Sequence, residues 1–165
     1  MRSYLVSLLF LLFVSGCSAV VKVDNDFVHM NDTAQKKQNV TIVLLGLNNY
    51  TDTPQAGLRA ANLVEGVLRS QEYKVVLHAM PERYELQEAL QKATQEGGAY
   101  LLYGGVSEWR YKTGIDGEAA VSLMLSLVDL KTSQVVWSAT ASDTSWSNSS
   151  LGTLAQNLIQ KMLVR

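Results

Sequence analysis

The chain has 165 residues, with 14 Lys and Arg against 15 Asp and Glu and a single cysteine. Its near-neutral charge excludes a nucleic-acid-binding protein, which would carry a basic stripe. One cysteine excludes a disulfide framework and a thiolate metal site, and the length suits one domain with a sizeable core.

The first sixteen residues have the zones of a secretory signal peptide. Arg2 supplies a positive charge, an apolar run covers Tyr4 to Val14, and Ser15 and Gly16 are small. The run is too short for a spanning helix, which needs about 20 apolar residues. Val14-Ser15-Gly16-Cys17 resembles the lipobox of bacterial lipoproteins, in which the cysteine becomes the acylated N-terminus. The alternatives are an ordinary signal peptide with an incidental cysteine and a buried free thiol.

The lipobox resemblance also implies a location. Ser18, not Asp, follows Cys17, which in that family favours the outer membrane, with the protein lipid-anchored and facing the periplasm. Residues 17–38 are then a lipidated N-terminus and tether, rich in Asp, Asn, Lys and Gln. We expect a mostly flexible linker, although Val20–Val23 and Phe27–Val28 could dock as a short strand or onto a neighbour.

Residues 39–98 alternate strand and helix patterns. Val40–Leu47 is an apolar run typical of a strand covered on both faces. Thr53 as N-cap and Pro54 at the first turn predict a helix to about Ser70. The inward positions of that helix are Leu58, Ala61, Val64 and Leu68. Lys74–Ala79 predicts the next strand.

Pro81 predicts the start of a second helix, which Gly97-Gly98 ends. Its inward residues are Leu86, Leu90 and Ala93. Two strand-to-helix units in succession predict a parallel sheet core.

After Gly98 the pattern changes to three long strands, Ala99–Lys112, Glu118–Leu130 and Gln134–Thr144, which predict an antiparallel meander. In the second of these strands an apolar row points one way, so at least one face is predicted to be buried: Val121, Leu123, Leu125 and Leu127. A helix capped by Ser149-Ser150 follows, with Leu151, Leu154, Leu158 and Met162 at helical spacing. Residues 39–165 are therefore expected to form a single α/β (α+β) domain. The predicted order is β-α-β-α-β-β-β-α, with helices packed on a mixed sheet.

No residue pattern supports catalysis, so we expect no enzyme activity, no cofactor and no metal. His29 and His78 are far apart in sequence and lack a nearby ligand set. No serine lies in a Gly-x-Ser-x-Gly turn, and a hydrolase triad would need one of these two histidines.

Three tryptophans differ in their surroundings. Trp137, with Val135 and Ala139 on its side of a strand, is predicted to be core. Trp109 and Tyr111 are placed on one strand face with Tyr103, as a half-buried aromatic ladder or as a membrane or subunit contact. Trp146 stands in a polar loop. It either caps the core or contacts the membrane or another subunit.

The loop Asn48-Asn49-Tyr50-Thr51-Asp52-Thr53-Pro54-Gln55-Ala56-Gly57 resembles the start of the periplasmic domain shared by CsgG, LpoB and PelC. These are lipoproteins of curli secretion, penicillin-binding-protein activation and exopolysaccharide export. The stretches 107–118 and Val136-Trp137-Ser138-Ala139 are most similar to the PelC-type branch.

The resemblance implies a non-enzymatic part of an export machine for biofilm polysaccharide. PelC-type lipoproteins form a homo-oligomeric ring under the outer membrane, below a separate β-barrel exporter, and their acidic funnel guides a cationic polysaccharide. Asp116 and Glu118 match the acid-bearing run of that branch and are the candidate polymer-path residues, the alternative being a solvated turn. An LpoB-like synthase activator, or another secretion or assembly accessory lipoprotein, is the second hypothesis.

Overall fold

The computed structural model describes residues 20–22, 39–111, 118–145 and 150–163. These residues form one mixed sheet and three helices, the fold class predicted from sequence. In chain order the elements are β1 (Val20–Lys22), β2 (Thr41–Leu45), β3 (Asn48–Asn49), α1 (Ala56–Ser70), β4 (Lys74–His78), α2 (Leu86–Gln95), β5 (Tyr100–Tyr111), β6 (Ala119–Asp129), β7 (Gln134–Ser145) and α3 (Leu151–Leu163).

The sheet has the strand order β1-β7-β6-β5-β2-β4, and the short β3 pairs beside β2 on β5. β2 is parallel to both β4 and β5, as the two strand-to-helix units predict. β5, β6 and β7 form the predicted antiparallel meander. The parallel and antiparallel halves therefore join at β5, which contacts both.

The two sheet faces are covered unequally. α1 and α3 pack on one face and enclose the larger core, to which β6 contributes the predicted apolar row Val121, Leu123, Leu125 and Leu127. α2 packs on the other face and encloses a smaller core around Val43, Leu45 and Leu101. Further along this second face, Met124 of β6 is 45% exposed. The α2 side of the meander is therefore partly open.

Both of the first two helices begin later than predicted. α1 begins at Ala56, and its N-cap is Gln55 with φ of 59°, so neither Thr53 nor Pro54 starts the helix. The Thr53 hydroxyl instead donates to the Trp109 carbonyl at 2.7 Å. A tertiary hydrogen bond thus replaces the predicted local cap.

The second helix shows a similar difference. α2 begins at Leu86, not at Pro81, and Leu86 is 40% exposed although it was predicted to face inward. Ala89 and Ala93 are its buried residues. The residues between Pro81 and Leu86 form a loop whose contacts are described below.

A bulge in β5 reverses the predicted aromatic face. The β5–β6 register shifts between Val106 and Glu108, which leaves Ser107 as an extra residue. Trp109 consequently joins the α1 and α3 core, whereas Tyr103 packs against the smaller core on the opposite face. The prediction that Tyr103 shares a face with Trp109 is therefore wrong.

A second register shift lies between β6 and β7, at Leu127 and Val128. Trp137 is 5% exposed, so its predicted core position is confirmed, but Val135 is 53% exposed. The shift turns Val135 out of the core that holds Trp137 and Ala139. Two single-residue irregularities thus redistribute the side chains of the meander.

The ends of the domain are tied to β7. Of the arrangements open to the N-terminal segment, strand docking is observed for Val20–Lys22, which pairs antiparallel with Ala139–Ala141. At the other end, the Ser150 hydroxyl accepts a hydrogen bond from the Thr153 amide at 3.1 Å, as expected of an N-cap. Lys161 of α3 lies 3.5 Å from Asp143 of β7.

Gly57 allows α1 to approach the end of β2 closely. The Leu47 amide donates to the Gly57 carbonyl at 3.3 Å. A Cβ on Gly57 would lie 1.8 Å from the Leu47 carbonyl oxygen, whereas a Cβ on Gly66 of the same helix would meet nothing within 4 Å. Only one of these two helical glycines is therefore required by packing.

We expect Gly57→Ala to lower the free energy of unfolding by about 1–3 kcal/mol, because the helix must move away from the Leu47 backbone. Gly66→Ala is the matched control. It should raise the free energy of unfolding by up to about 1 kcal/mol, since alanine is the better helix former. Urea unfolding followed by circular dichroism measures both. Equal effects of the two substitutions would contradict the close approach.

Candidate functional site

The loop between β2 and α1 and the loop before α2 meet at one edge of the sheet. β3 lies within the first of these loops and pairs in parallel with Gly105 and Val106 of β5. This edge follows the carboxyl end of β2, where ligands commonly bind in sheets with parallel strands. Residues 48–55 and 82–84 build most of it.

Asn48 joins the two loops through its side chain. Its Nδ2 donates to the Tyr84 carbonyl at 3.3 Å, and its Oδ1 accepts from the Tyr84 amide at 2.8 Å. Asn48 is only 8% exposed. Because a buried amide must be hydrogen-bonded, this two-point contact fixes the position of Tyr84 relative to β3.

Asn49 and Glu82 form a second connection. The Asn49 amide donates to the Glu82 carbonyl at 2.6 Å, and Glu82 Oε1 accepts from the Gln55 amide at 2.8 Å. Asn49 Nδ2 donates to the Thr53 carbonyl at 2.8 Å. Asn49 Oδ1 accepts from the amide and the hydroxyl of Thr51 at 3.0 and 2.8 Å. The loop is thus hydrogen-bonded internally and to the segment before α2.

Tyr50 is the exposed aromatic residue of this loop. Its amide donates to the Val106 carbonyl at 2.9 Å, and its side chain is 53% exposed. The Arg83 guanidinium lies 5.3 Å from the ring centroid, within cation–π range, and its Nε donates to the Asn49 carbonyl at 3.2 Å. A Cβ on Gly105 would lie 2.6 Å from the Tyr50 ring, so the glycine makes room for the ring on β5.

An open cleft of about 370 Å³ lies beside Tyr50, between the loop and the bulged part of β5. We call it the Tyr50 cleft. Its polar groups include the exposed Asp52, the Glu108 carboxylate at 3.1 Å from Arg110, and the Ser107 hydroxyl at 2.9 Å from that of Ser122. The full lining is Tyr50, Thr51, Asp52, Thr53, Ser107, Glu108, Trp109, Arg110 and Ser122.

Of the predicted site residues that the structure describes, only Trp109 lines this cleft. Trp109 is 4% exposed and belongs to the core. Tyr111 is 52% exposed, and its phenol oxygen accepts from the Leu151 amide at 3.3 Å, at the start of α3. Glu118 is half-buried just before β6. Cys17, Asp116 and Trp146 lie outside the described residues.

Sequence reasoning missed Tyr50 and Asp52 as site residues, although the loop that carries them was singled out. The available signal was an aromatic residue without apolar neighbours in the polar run Asn48–Thr53. The same signal had drawn attention to Trp146. The bulge that places Ser107 and Glu108 beside the loop has no comparable mark in the sequence.

Histidine and acidic residues do not gather into a metal site in the part of the chain that the structure describes. His78 Nε2 lies 3.0 Å from Glu96 Oε2, and Lys92 Nζ lies 3.0 Å from the other carboxylate oxygen. Hydrogen bonds from Lys92 and His78 lower the pKa of Glu96. Within residues 39–111, 118–145 and 150–163, no helix has the length and apolar character required to cross a membrane.

Tyr84 is held by its backbone, because Asn48 bonds both its amide and its carbonyl group. Burial raises the pKa of its phenol, and the hydroxyl has no hydrogen-bond partner among the described residues.

We expect Asn48→Ala to lower the free energy of unfolding by about 1–3 kcal/mol, because it leaves the Tyr84 amide unsatisfied. Tyr84→Phe, the control, should be neutral or slightly stabilising. Thermal unfolding measures both, and a neutral Asn48→Ala would contradict the anchoring role.

Known proteins share this architecture. A family model for the peptidoglycan-synthase activator LpoB matches residues 38–142. The chain is similar to dodecameric PelC from Paraburkholderia phytofirmans, with 33% identity and a TM-score of 0.72 over 89% of this chain and 96% of that one. A variant of that dodecamer with a single Leu-to-Met substitution, in another crystal form, gives 32% identity and a TM-score of 0.71, with 88% and 96% covered.

A more distant structure shares the fold alone. Lipoprotein GNA1162 from Neisseria meningitidis has 19% identity and a TM-score of 0.50, and 67% of this chain and 84% of that chain are covered. A search of curated protein sequences gives no match. The identity to PelC extends over nearly the whole of both chains, and the LpoB model covers more than half of this one. The chain therefore belongs to the PelC family, within the LpoB-like superfamily of periplasmic domains.

Proposed function

We propose that this protein is a non-enzymatic lipoprotein of the outer membrane that faces the periplasm, assembles into a ring and assists the export of an exopolysaccharide. The observation that carries the proposal is the 33% identity, over 89% of the chain, to a PelC that forms a dodecamer. The export step and the cationic charge of the polymer follow the resemblance to PelC-type lipoproteins. A separate outer-membrane β-barrel exporter is the proposed partner.

The unequal covering of the sheet supports self-association. α1 and α3 cover the length of one face, whereas α2 leaves the outer part of the other face open around Met124, which is 45% exposed. Methionine is enriched in protein interfaces, and Met124 lies on this open face. A ring requires head-to-tail contacts between two different surfaces of each subunit.

Attachment to the membrane is proposed to depend on Cys17, with residues 1–16 removed and residues 17–38 as the lipidated tether. Trp146 and Tyr111 are the proposed membrane or subunit contacts. Tyr111 is exposed beside the start of α3. Because Trp109 is 4% exposed, its contribution to such a contact would act through the packing of β5.

A second candidate function is the activation of a peptidoglycan synthase. The match of the LpoB family model to residues 38–142 favours it. The two functions differ in what a deletion strain loses. Loss of exopolysaccharide supports the export function, whereas a cell-wall synthesis defect with normal exopolysaccharide supports the activator.

We expect deletion of the gene to abolish exopolysaccharide export, and the wild-type gene to restore it. Cys17→Ala should fail to restore export, because the protein then remains in the soluble periplasmic fraction. Cys17→Ser is a near-isosteric second variant with the same expectation. Fractionation, mass spectrometry of the mature N-terminus and native mass spectrometry in detergent provide the readouts. A strict monomer, or full export by Cys17→Ala, would contradict this proposal.

Asp116 and Glu118 are the proposed polymer-path acids. A ring repeats each carboxylate once per subunit, so the local field at its opening would be strong. We expect the double variant Asp116→Asn, Glu118→Gln to keep the ring but to lower export and the salt-sensitive retention of a cationic glycan. Glu72→Gln, on the exposed turn after α1, is the control and should leave both unchanged. Normal export by the double variant would remove these two residues from the path.

A further inference from the structure

We propose that the Tyr50 cleft is a binding subsite for a chain of pyranose sugars, and that Asp52 gives it a preference for amino sugars. The inference rests on the proposed export function and names a place on each subunit where the polymer is held. It concerns residues other than the proposed polymer-path acids Asp116 and Glu118.

The first argument is the state of the Tyr50 ring. The Tyr50 side chain is 53% exposed, yet its ring has contacts with β5 at Gly105 and with Arg83. Its backbone is paired with β5 through Val106, and Arg83 lies against the ring. A rigid, half-exposed aromatic ring can pack against the C–H face of a sugar at little cost in side-chain entropy.

The second argument is the composition of the cleft around that ring. The Ser107 and Ser122 hydroxyls and the Glu108–Arg110 ion pair offer donors and acceptors within one concave space of about 370 Å³. A sugar presents an apolar face and a rim of hydroxyl groups, so it needs both kinds of surface. A few polar groups around an aromatic wall is the arrangement that binds small ligands in clefts.

The third argument is the charge of Asp52. Glu108 is paired with Arg110 at 3.1 Å, and Arg83 lies against Tyr50 while it donates to the Asn49 carbonyl. Asp52 is exposed at the cleft, so its carboxylate is available to an ammonium group of the ligand. A neutral sugar would use the ring and the hydroxyls alone, whereas an amino sugar gains a charge-assisted hydrogen bond.

The sheet fixes this arrangement more firmly than a loop would. Gly105 leaves space for the ring on β5, and the bulge at Ser107 turns Glu108 and Arg110 toward the loop. One wall of the cleft therefore comes from β5 and β6, which are joined by backbone hydrogen bonds, and the other comes from the loop of residues 50–53.

The test measures binding of two probes, the hexasaccharides of glucosamine and of N-acetylglucosamine, to the full-length lipidated protein in detergent. Isothermal titration calorimetry gives the affinities, and native mass spectrometry gives the oligomeric state. Tyr50→Ala should weaken both probes about tenfold, whereas Tyr50→Phe keeps the ring and should bind normally. Asp52→Asn should weaken only the glucosamine probe, about fivefold. Leu86→Ala, which removes an exposed apolar side chain of α2 outside the cleft lining, is the control.

Three results would overturn the subsite. They are normal binding by Tyr50→Ala, equal losses in Tyr50→Ala and Leu86→Ala, and loss of the oligomer in Tyr50→Ala, which would make Tyr50 a subunit contact. An unchanged glucosamine affinity in Asp52→Asn would overturn the amino-sugar preference. Export measured in the deletion strain distinguishes failure of the subsite from failure of the proposed function. If deletion abolishes export but Tyr50→Ala restores it fully, only the subsite fails; if deletion leaves export intact, the proposed function fails.

Discussion

Two buried amides, those of Asn48 and Asn49, hold together the edge of the sheet that carries the candidate site. They are 8% and 4% exposed, and their side chains bond the segment before α2 and the turns of their own loop. Burying an amide without partners costs free energy of about 1–3 kcal/mol, so each partner is constrained to one position. The exposed groups of the loop, Tyr50 and Asp52, acquire their geometry from these buried neighbours.

The same edge depends on an irregularity in β5. Without the extra residue at Ser107, Trp109 would face the α2 side and its indole would leave the larger core. With it, the indole is buried and the Trp109 carbonyl is available to the Thr53 hydroxyl at 2.7 Å. One extra residue therefore places Trp109 in the larger core and also anchors the loop that carries Thr53. Bulges are common beside functional sites.

The parts of the fold that could be predicted are those set by local periodicity. The apolar run of β2, the inward row of β6 and the Ser150 cap of α3 each depend on residues close in sequence. The wrong predictions have distant causes. Thr53 was expected to cap α1 but bonds Trp109, 56 residues away, and an extra residue at Ser107 leaves no trace in composition.

In the candidate site, too, only the features set by residues close in sequence could be predicted. The loop 48–57 could be singled out from its residues, but the cleft could not, because its second wall comes from β5 and β6. The predicted aromatic ladder failed for the related reason that strand periodicity assumes a regular register. The exposure of the Tyr50 side chain depends on how the loop and β5 pack together. In a regular strand the same side chain would contact a neighbouring side chain.

The proposed subsite has to bind a polymer that moves past it. A tight site would hold the chain and stop its passage, so each contact along an export path has to be weak. The Tyr50 cleft is open and mostly polar, with a single half-exposed ring, which suits low affinity at each subunit. In the proposed ring, identical weak subsites would act on one chain at high effective concentration, so the polymer would stay in the path while it exchanges between neighbouring subunits. A contact at a fixed position can then still be weak, because the buried hydrogen bonds of Asn48 and Asn49 fix where the contact lies without adding to its strength.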